Sequence, residues 1–425
     1  MSAAHYDVIV VGAGIHGAGV AQAAAARGYR VLLLEQHGIG SGTSGRSSKL
    51  IHGGLRYLES GQLSLVRESL QERTLLLKNA PDLVKLTPFY IPVYNNSKRN
   101  AMTLRLGLSL YALLGGLGKP FRFRCLLKSD WDHLDGLQTK NLCAVYQYWD
   151  AQTDDQALTQ AVADSAQALG AELCMPAVFQ KGIREKDHYR VRYLHKDGEE
   201  SCSTAALVNA TGPWVDTVLD CITPSPEKLA MELVQGTHIL LDEKITQGIY
   251  YLEAPRDRRP VFVMPWKGKT MVGTTETVFK GSPSAVEALH EEKAYLLETL
   301  ACYFPRFQTF QIKEIRSAFA GCRVLPKGKG GFGMRPRETQ FKTDDAALPR
   351  LLTIYGGKLT TYRLTAEKVM NQLMQSLPAK KQIADTAEIV LKINPKPVIA
   401  EENRNMITSI FSKNPSPQID KKGMQ

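Results

Sequence analysis

Hydrophobic positions along this chain fall into distinct textures. The first is short, unbroken and β-branched: Tyr6 to Val11 is apolar except for Asp7, and Val31 to Leu34 is wholly apolar. Runs of this length and content predict buried parallel strands. Between them, alanine-rich sequence from Ala18 to Ala26 predicts a helix that Gly28 ends. The second texture is helical periodicity from Gln152 to Leu169, with Asp154-Asp155 near its start, where carboxylates complement the helix dipole, and Gly170 as its stop. Ala171 to Phe179, Tyr189 to Leu194 and Ala205 to Val208 then read as strands. The third texture runs from Glu232 to Glu276, where alternating or apolar stretches split by turns predict an antiparallel sheet.

The turn after the first strand is Gly12-Ala13-Gly14-Ile15-His16-Gly17, a G-x-G-x-x-G. Gly12 allows the tight bend, Gly14 lets a pyrophosphate approach the backbone, and Gly17 lets helix and strand pack closely. The helix N-terminus supplies partial positive charge for a diphosphate. Glu35 ends the second strand, 21 residues beyond Gly14. An acidic side chain there accepts bonds from adenosine ribose hydroxyls and repels a 2′-phosphate, which favours FAD or NAD over NADP.

Length changes this picture by adding a second domain. At 425 residues the chain exceeds the usual single-core limit of about 250 to 300. A net charge of +11 suggests an anionic partner such as a phosphorylated substrate, FAD or acidic lipid, although a solvated basic surface is an equal reading. The basic residues are scattered, and no nucleic-acid motif is present. Seven cysteines form no C-x-x-C pair and no metal-ligand cluster, and Met1 to His5 runs straight into the first strand, so the expectation is reduced thiols in the cytoplasm. Leu104 to Leu117 is strongly apolar, yet its 14 residues fall short of the roughly 20 needed to span a bilayer. Flanked by Lys98, Arg99, Arg105, Lys119, Arg122 and Arg124, it is either an interfacial membrane helix or a buried helix of the second domain.

Candidate chemistry concentrates in five places. Ser47-Ser48-Lys49-Leu50-Ile51-His52-Gly53-Gly54-Leu55-Arg56-Tyr57-Leu58-Glu59 joins small residues suited to close cofactor approach with groups able to face an anion. Asn209-Ala210-Thr211-Gly212 ends an apolar strand in small residues, as a backbone passing near a cofactor requires. His238 lies on a predicted strand, as a proton acceptor or as a structural histidine. Ala318 to Arg323 precedes a glycine- and lysine-rich loop, Lys327 to Gly333, then Arg335-Pro336-Arg337. Beyond them, the strand Leu351 to Tyr355 runs into Gly356-Gly357-Lys358-Leu359-Thr360-Thr361-Tyr362-Arg363, where backbone amides and Lys358 would meet the electron density of a reduced flavin.

These motifs together resemble the FAD-dependent glycerol-3-phosphate dehydrogenase family of the D-amino-acid-oxidase-like flavoprotein superfamily. The resemblance covers roughly residues 5 to 375 and rests on SGTSGRSSKLIHGGLRYLE at 41–59, LVNATGPWV at 207–215, GTHI at 236–239, VFVMPW at 261–266, VGTTE at 272–276 and GGKLTTYR at 356–363. It implies an α/β fold: a Rossmann-like FAD-binding domain, glutathione-reductase-like, with an α+β substrate domain built on a mixed or antiparallel sheet. The expected division is 1–80, 151–225 and 325–380 for FAD, 81–150 and 226–324 for the substrate cap, and 381–425 as a C-terminal tail, with the family's helical C-terminal domain expected to be missing.

The resemblance further implies oxidation of sn-glycerol 3-phosphate to dihydroxyacetone phosphate by hydride transfer to flavin N5, with electrons passing to a membrane quinone. His238 is the expected base, and Arg323 and Lys358 complete the catalytic set. Arg56, Tyr57, Thr275 and Arg337 are the expected substrate contacts, with Arg335 an equal occupant of the last position. The FAD contacts would be Gly12, Gly14, Gly17, Glu35, Thr43, Ser44, Ser47, Ser48, Leu50, His52, Gly53, Ala210, Gly212, Gly357, Leu359 and Thr360, with no metal. The expected location is cytoplasmic, peripheral to the inner face of the membrane, with a homodimer possible. Two departures stand out: Gly321-Cys322-Arg323-Val324-Leu325 lacks the family's proline, and Thr274-Thr275-Glu276 replaces Thr-Thr-Asp. The alternatives are a glycerol-3-phosphate oxidase, an oxidoreductase for another small anionic substrate, or a non-catalytic flavin-binding protein.

Overall fold

A computed structural model describes residues 4–328 apart from 197, together with residues 338–393. The N-terminal pattern becomes a strand, β1 (Ala4–Val11), a helix, α1 (Ile15–Ala26), and a second strand, β2 (Val31–Leu34). β1 and β2 pair in parallel from Val8 opposite Val31. On its other side β1 pairs in parallel with Gly198–Asn209, whose C-terminal end pairs in parallel with Leu351–Tyr355. Unbroken apolar runs suit strands covered on both faces, and α1 itself lies between helices Asp155–Ala168 and Tyr362–Leu373. Its small residues permit this, since a Cβ on Gly19 would come within 2.8 Å of the Tyr362 ring.

A second, mixed sheet packs beside the first. Its long strand Met231–Leu241 runs antiparallel to Ile315–Pro326 on one edge and to Lys269–Gly273 on the other. From there the order continues through Pro260–Trp266, Ile249–Glu253, Val84–Tyr94 and Leu142–Thr153 to the two-residue strand Leu50–Ile51. Only the pairing of Ile249–Glu253 with Val84–Tyr94 is parallel among the described pairs of this sheet. The antiparallel reading of 232–276 holds in this register, and Leu50–Ile51 carries the cofactor-facing segment from one sheet to the other.

Three boundaries differ from the pattern reading. Gln152 and Thr153 finish the strand Leu142–Thr153, and the helix begins at Asp155 because Asp154 caps it, accepting from the Ala157 amide at 3.2 Å. The run 171–179 is split into Glu172–Cys174 and Val178–Arg184, since Pro176 cannot donate to a ladder. The strand expected over 205–208 is longer, because its first half pairs antiparallel with Tyr189–His195. Residues 381–393, expected to open a tail, fold back instead: the Ile383 amide donates to Ala26 O and the Leu391 amide to Asn79 O. The seven cysteines are free thiols.

The apolar run 104–117 lies in a helix, Ala101–Gly115, capped by the Asn100 side chain and ended by Gly116 at φ +95°. Leu104, Leu108, Tyr111 and Ala112 face inward. Below it Arg73 and Asp150 form an ion pair with both side chains out of water. Removing one member of such a pair strands the other, at about 3–5 kcal/mol. Asp150→Asn is therefore expected to lower the thermal midpoint by roughly 5–10 °C; an unchanged midpoint in a melting curve would contradict the pair's structural weight.

Candidate active site

The C-terminal ends of β1 and Gly198–Asn209, the segment that follows β2, and the facing strands of the second sheet enclose one cavity of about 860 Å³. Its floor is bare backbone. Gly12 has φ +96°, and a Cβ there would sit 3.0 Å from Ala210 O. On Gly17 a Cβ would lie 1.8 Å from Gly12 O, so helix and turn touch directly. The first amide of α1, on Ile15, donates to Ser44 Oγ at 2.9 Å. Glu35 accepts from the amides of Ala13 (2.8 Å), His37 (2.7 Å) and Gly38 (3.2 Å), which fixes its carboxylate at the cavity edge.

A second glycine turn closes the other side. Gly356 and Gly357 have φ +71° and +101°, and a Cβ on Gly357 would lie 2.1 Å from His16 Nε2. Thr360 Oγ1 accepts from the His52 amide at 3.2 Å, tying this turn to the segment after β2. Of the residues expected to touch FAD, all but Gly17 and Gly53 line the cavity. Gly17 serves close packing. Gly53 backs away from the cavity: its amide donates to Tyr111 Oη at 2.8 Å, and Tyr111 Oη donates to Asp150 at 2.7 Å.

Arg56, Tyr57, His238, Arg323 and Lys358 line the same cavity. His238 stacks on Phe319 with centroids 4.9 Å apart and holds Nε2 2.9 Å from Ser48 Oγ. Arg323 Nη2 donates to Thr275 O at 2.9 Å, and Nη1 meets Glu276 Oε1 at 3.1 Å. The Lys358 ammonium lies 3.8 Å from the centre of the Tyr57 ring. Among the described residues the Arg56 side chain makes neither a hydrogen bond nor an ion pair, while its carbonyl accepts from the Glu59 amide at 3.2 Å. Thr275 is the exception to the expected set: its hydroxyl donates to Glu292 at 2.8 Å and accepts from the Thr237 amide, so it turns away from the cavity. Arg335 and Arg337 lie outside the described residues.

Residues 7–363 match the family model described as "FAD dependent oxidoreductase". The chain belongs to the FAD dependent oxidoreductase family. It is similar to a glycerol-3-phosphate dehydrogenase of Pseudomonas aeruginosa, 38% identical over 379 residues that cover 87% of this chain and 71% of that protein. A D-erythritol 1-phosphate dehydrogenase of Brucella abortus is 36% identical, over 88% of this chain and 74% of its own. The solved glycerol-3-phosphate dehydrogenase of Bacillus halodurans, complexed with FAD, superposes with a TM-score of 0.69 at 26% identity, covering 91% of this chain and 68% of that one.

FAD is thus the cofactor of this oxidoreductase, and the cavity suits it on physical grounds. A Cβ at 12 would meet Ala210 O and one at 357 would meet His16 Nε2, so only glycine lets the backbone of both turns border the cavity, and the N-terminus of α1 lines it at Gly14, Ile15 and His16. Sequence patterns missed several groups that shape the site. Arg259 lines the cavity and donates to Glu276 O at 3.0 Å. Lys49, buried beneath the Phe319 ring, pairs with Asp155 at 2.6 Å. Only the substitution of glutamate for aspartate at Glu276 flagged that region, and nothing local marked Lys49.

Burial, followed by the Arg323 and Lys49 cations, pushes His238 down to about 3, and burial pushes His16 down to about 4. Both are neutral at pH 7 in the folded chain. In the unfolded chain they take up protons below about 6.5, so their contribution to stability is complete above that pH and is lost as pH falls toward the folded values. Each removes up to about 1.4 kcal/mol per pH unit over that window. Melting curves from pH 7 to 5 should show His238→Asn losing less stability than the unmodified protein; parallel slopes would exclude this account of the histidine.

Proposed function

We propose that the protein oxidises sn-glycerol 3-phosphate at C2 to dihydroxyacetone phosphate. The observation that carries this reading is convergence: Arg56, His238, Arg323 and Lys358, drawn from four distant segments, line one cavity with the turns suited to FAD. Bound FAD supplies the hydride acceptor. Arg56, Arg323 and Lys358 hold the substrate phosphate, with arginine forks matching its oxygens. His238 takes the C2 hydroxyl proton at Nε2, the nitrogen beside Ser48 Oγ. Entry of an anion offsets the Arg323 field, which raises the proton affinity of the ring when it is needed. Stacking on Phe319 keeps the imidazole oriented.

A second reading, oxidation of a longer polyol phosphate, rests on the near-equal similarity to the D-erythritol 1-phosphate dehydrogenase. Anaerobic addition of sn-glycerol 3-phosphate is expected to bleach the bound flavin. Bleaching by D-erythritol 1-phosphate alone would favour the second reading, and none with either would overturn both. Arg323→Ala should raise KM roughly 10- to 100-fold, as for about 1.5–3 kcal/mol, with FAD retained; loss of FAD would make the residue structural.

We further propose that electrons pass to a membrane quinone and that the helix Ala101–Gly115 rests on the membrane face. Among the described residues no helix is long and apolar enough to cross a bilayer. On this helix, however, Met102, Leu106 and Leu113 are 63%, 65% and 60% exposed, beside exposed Arg105 and Arg122. Leu106→Glu is expected to weaken sedimentation with anionic vesicles while leaving flavin bleaching intact. Equal sedimentation of both proteins would remove this face from the account.

A further inference from the structure

Glu292 lies in the first turn of the helix His290–Tyr303 and is 5% exposed. Its carboxylate accepts hydrogen bonds from Gln235 Nε2 (2.6 Å), Thr237 Oγ1 (2.6 Å), Thr275 Oγ1 (2.8 Å), Thr277 Oγ1 (2.8 Å) and the Leu289 amide (3.2 Å). No cation lies within ion-pair distance of it among the described residues. Burial alone would push this carboxyl up, but the bonds from Thr237, Thr275, Thr277 and Gln235 outweigh burial and hold it below its usual value. It is therefore a fixed anion held by neutral donors and by the positive end of its helix.

The donors belong to the two segments that place the substrate groups. Gln235 and Thr237 lead to His238 on the strand Met231–Leu241, which pairs with Ile315–Pro326 so that Gln235 faces Cys322 and Val234 faces Arg323. Thr275 and Thr277 flank Glu276 on the segment that grips Arg323 through Thr275 O, Thr274 Oγ1 and Glu276. Backbone pairing also joins the two segments, since Gln235 faces Thr277 and the Thr275 amide donates to Thr237 O at 3.4 Å, and Glu292 gathers the side chains of both onto one carboxylate.

We propose that Glu292 is a positioning residue for the anion site, clasping the 274–277 segment against the strand 235–238 so that Arg323 is presented at a fixed angle to the substrate phosphate. The inference rests on the reading of Arg323 as a phosphate ligand. A neutral amide in its place offers one oxygen acceptor and one donor to a pocket that needs acceptors only, so the clasp opens. The effect then passes through Arg323 and vanishes when Arg323 is absent.

Inorganic phosphate, titrated into FAD-loaded protein by calorimetry, tests this by a double-mutant cycle. Glu292→Gln is expected to weaken phosphate binding roughly 10-fold, with the FAD content unchanged. In the Arg323→Ala background the same change should cost less than about 2-fold. Thr277→Val, which removes one donor and leaves the charge, gives a smaller weakening with the same dependence on Arg323 and serves if the glutamine variant does not fold. Full effects in both backgrounds, or wild-type affinity in Glu292→Gln and Thr277→Val, would overturn the proposal while leaving the Arg323 reading intact. Absence of phosphate binding by the unmodified protein would instead overturn the Arg323 reading, and this proposal with it.

Discussion

A lysine ammonium and an aspartate carboxylate, both out of water, fix the segment on which the site is built. Lys49 Nζ lies 2.6 Å from Asp155 Oδ1, with side-chain exposures of 7% and 0%. Desolvating two charges costs several kcal/mol apiece, so such a pair persists only where further bonds support it. Here Asp155 also accepts the Ser47 amide at 2.9 Å and opens a helix, and Lys49 also donates to Gly45 O at 2.7 Å. Ser48 is thereby held where its hydroxyl meets His238. Asp155 follows the last residues of a second-sheet strand and heads a helix packed on α1, so one ion pair sets the two sheets and the cavity between them in register.

From that anchor the chemistry follows in layers. Backbone without side chains lines the part of the cavity suited to FAD, because a diphosphate and a flavin need close approach to amides more than they need side-chain partners. Cations gather where the substrate anion would sit, and after burial the Arg323 cation lowers the proton affinity of His238 further. A neutral imidazole beside arginine is a poor base until an anion arrives, which couples proton acceptance to substrate binding.

Much of this was legible in the sequence where function depends on local backbone. The turn Gly12 to Gly17 and Glu35 could be read from spacing, since the strand, turn and helix that use them are contiguous. His238, Arg323 and Lys358 were placed together only through the order of their motifs, because their meeting depends on strand pairing across some 120 residues. The family resemblance alone puts Thr275 beside His238 among the substrate contacts. The direction of its hydroxyl is set by Glu292, a residue on another element that carries no motif. Lys49 and Arg259 were passed over for the same reason: a buried ion pair and a cavity wall are tertiary facts with no periodic signature. A helix read from Gln152 starts early because it takes in the last two residues of the preceding strand and the capping Asp154.

The account's central claim is that cations and a neutral histidine hold a phosphorylated alcohol across the cavity from FAD. A crystal structure of the FAD-loaded protein with dihydroxyacetone phosphate tests it most directly. The account predicts the phosphate on Arg56 and Arg323 and the C2 oxygen within hydrogen-bond distance of His238 Nε2. A phosphate bound away from both arginines, or a C2 oxygen out of reach of His238, would contradict it.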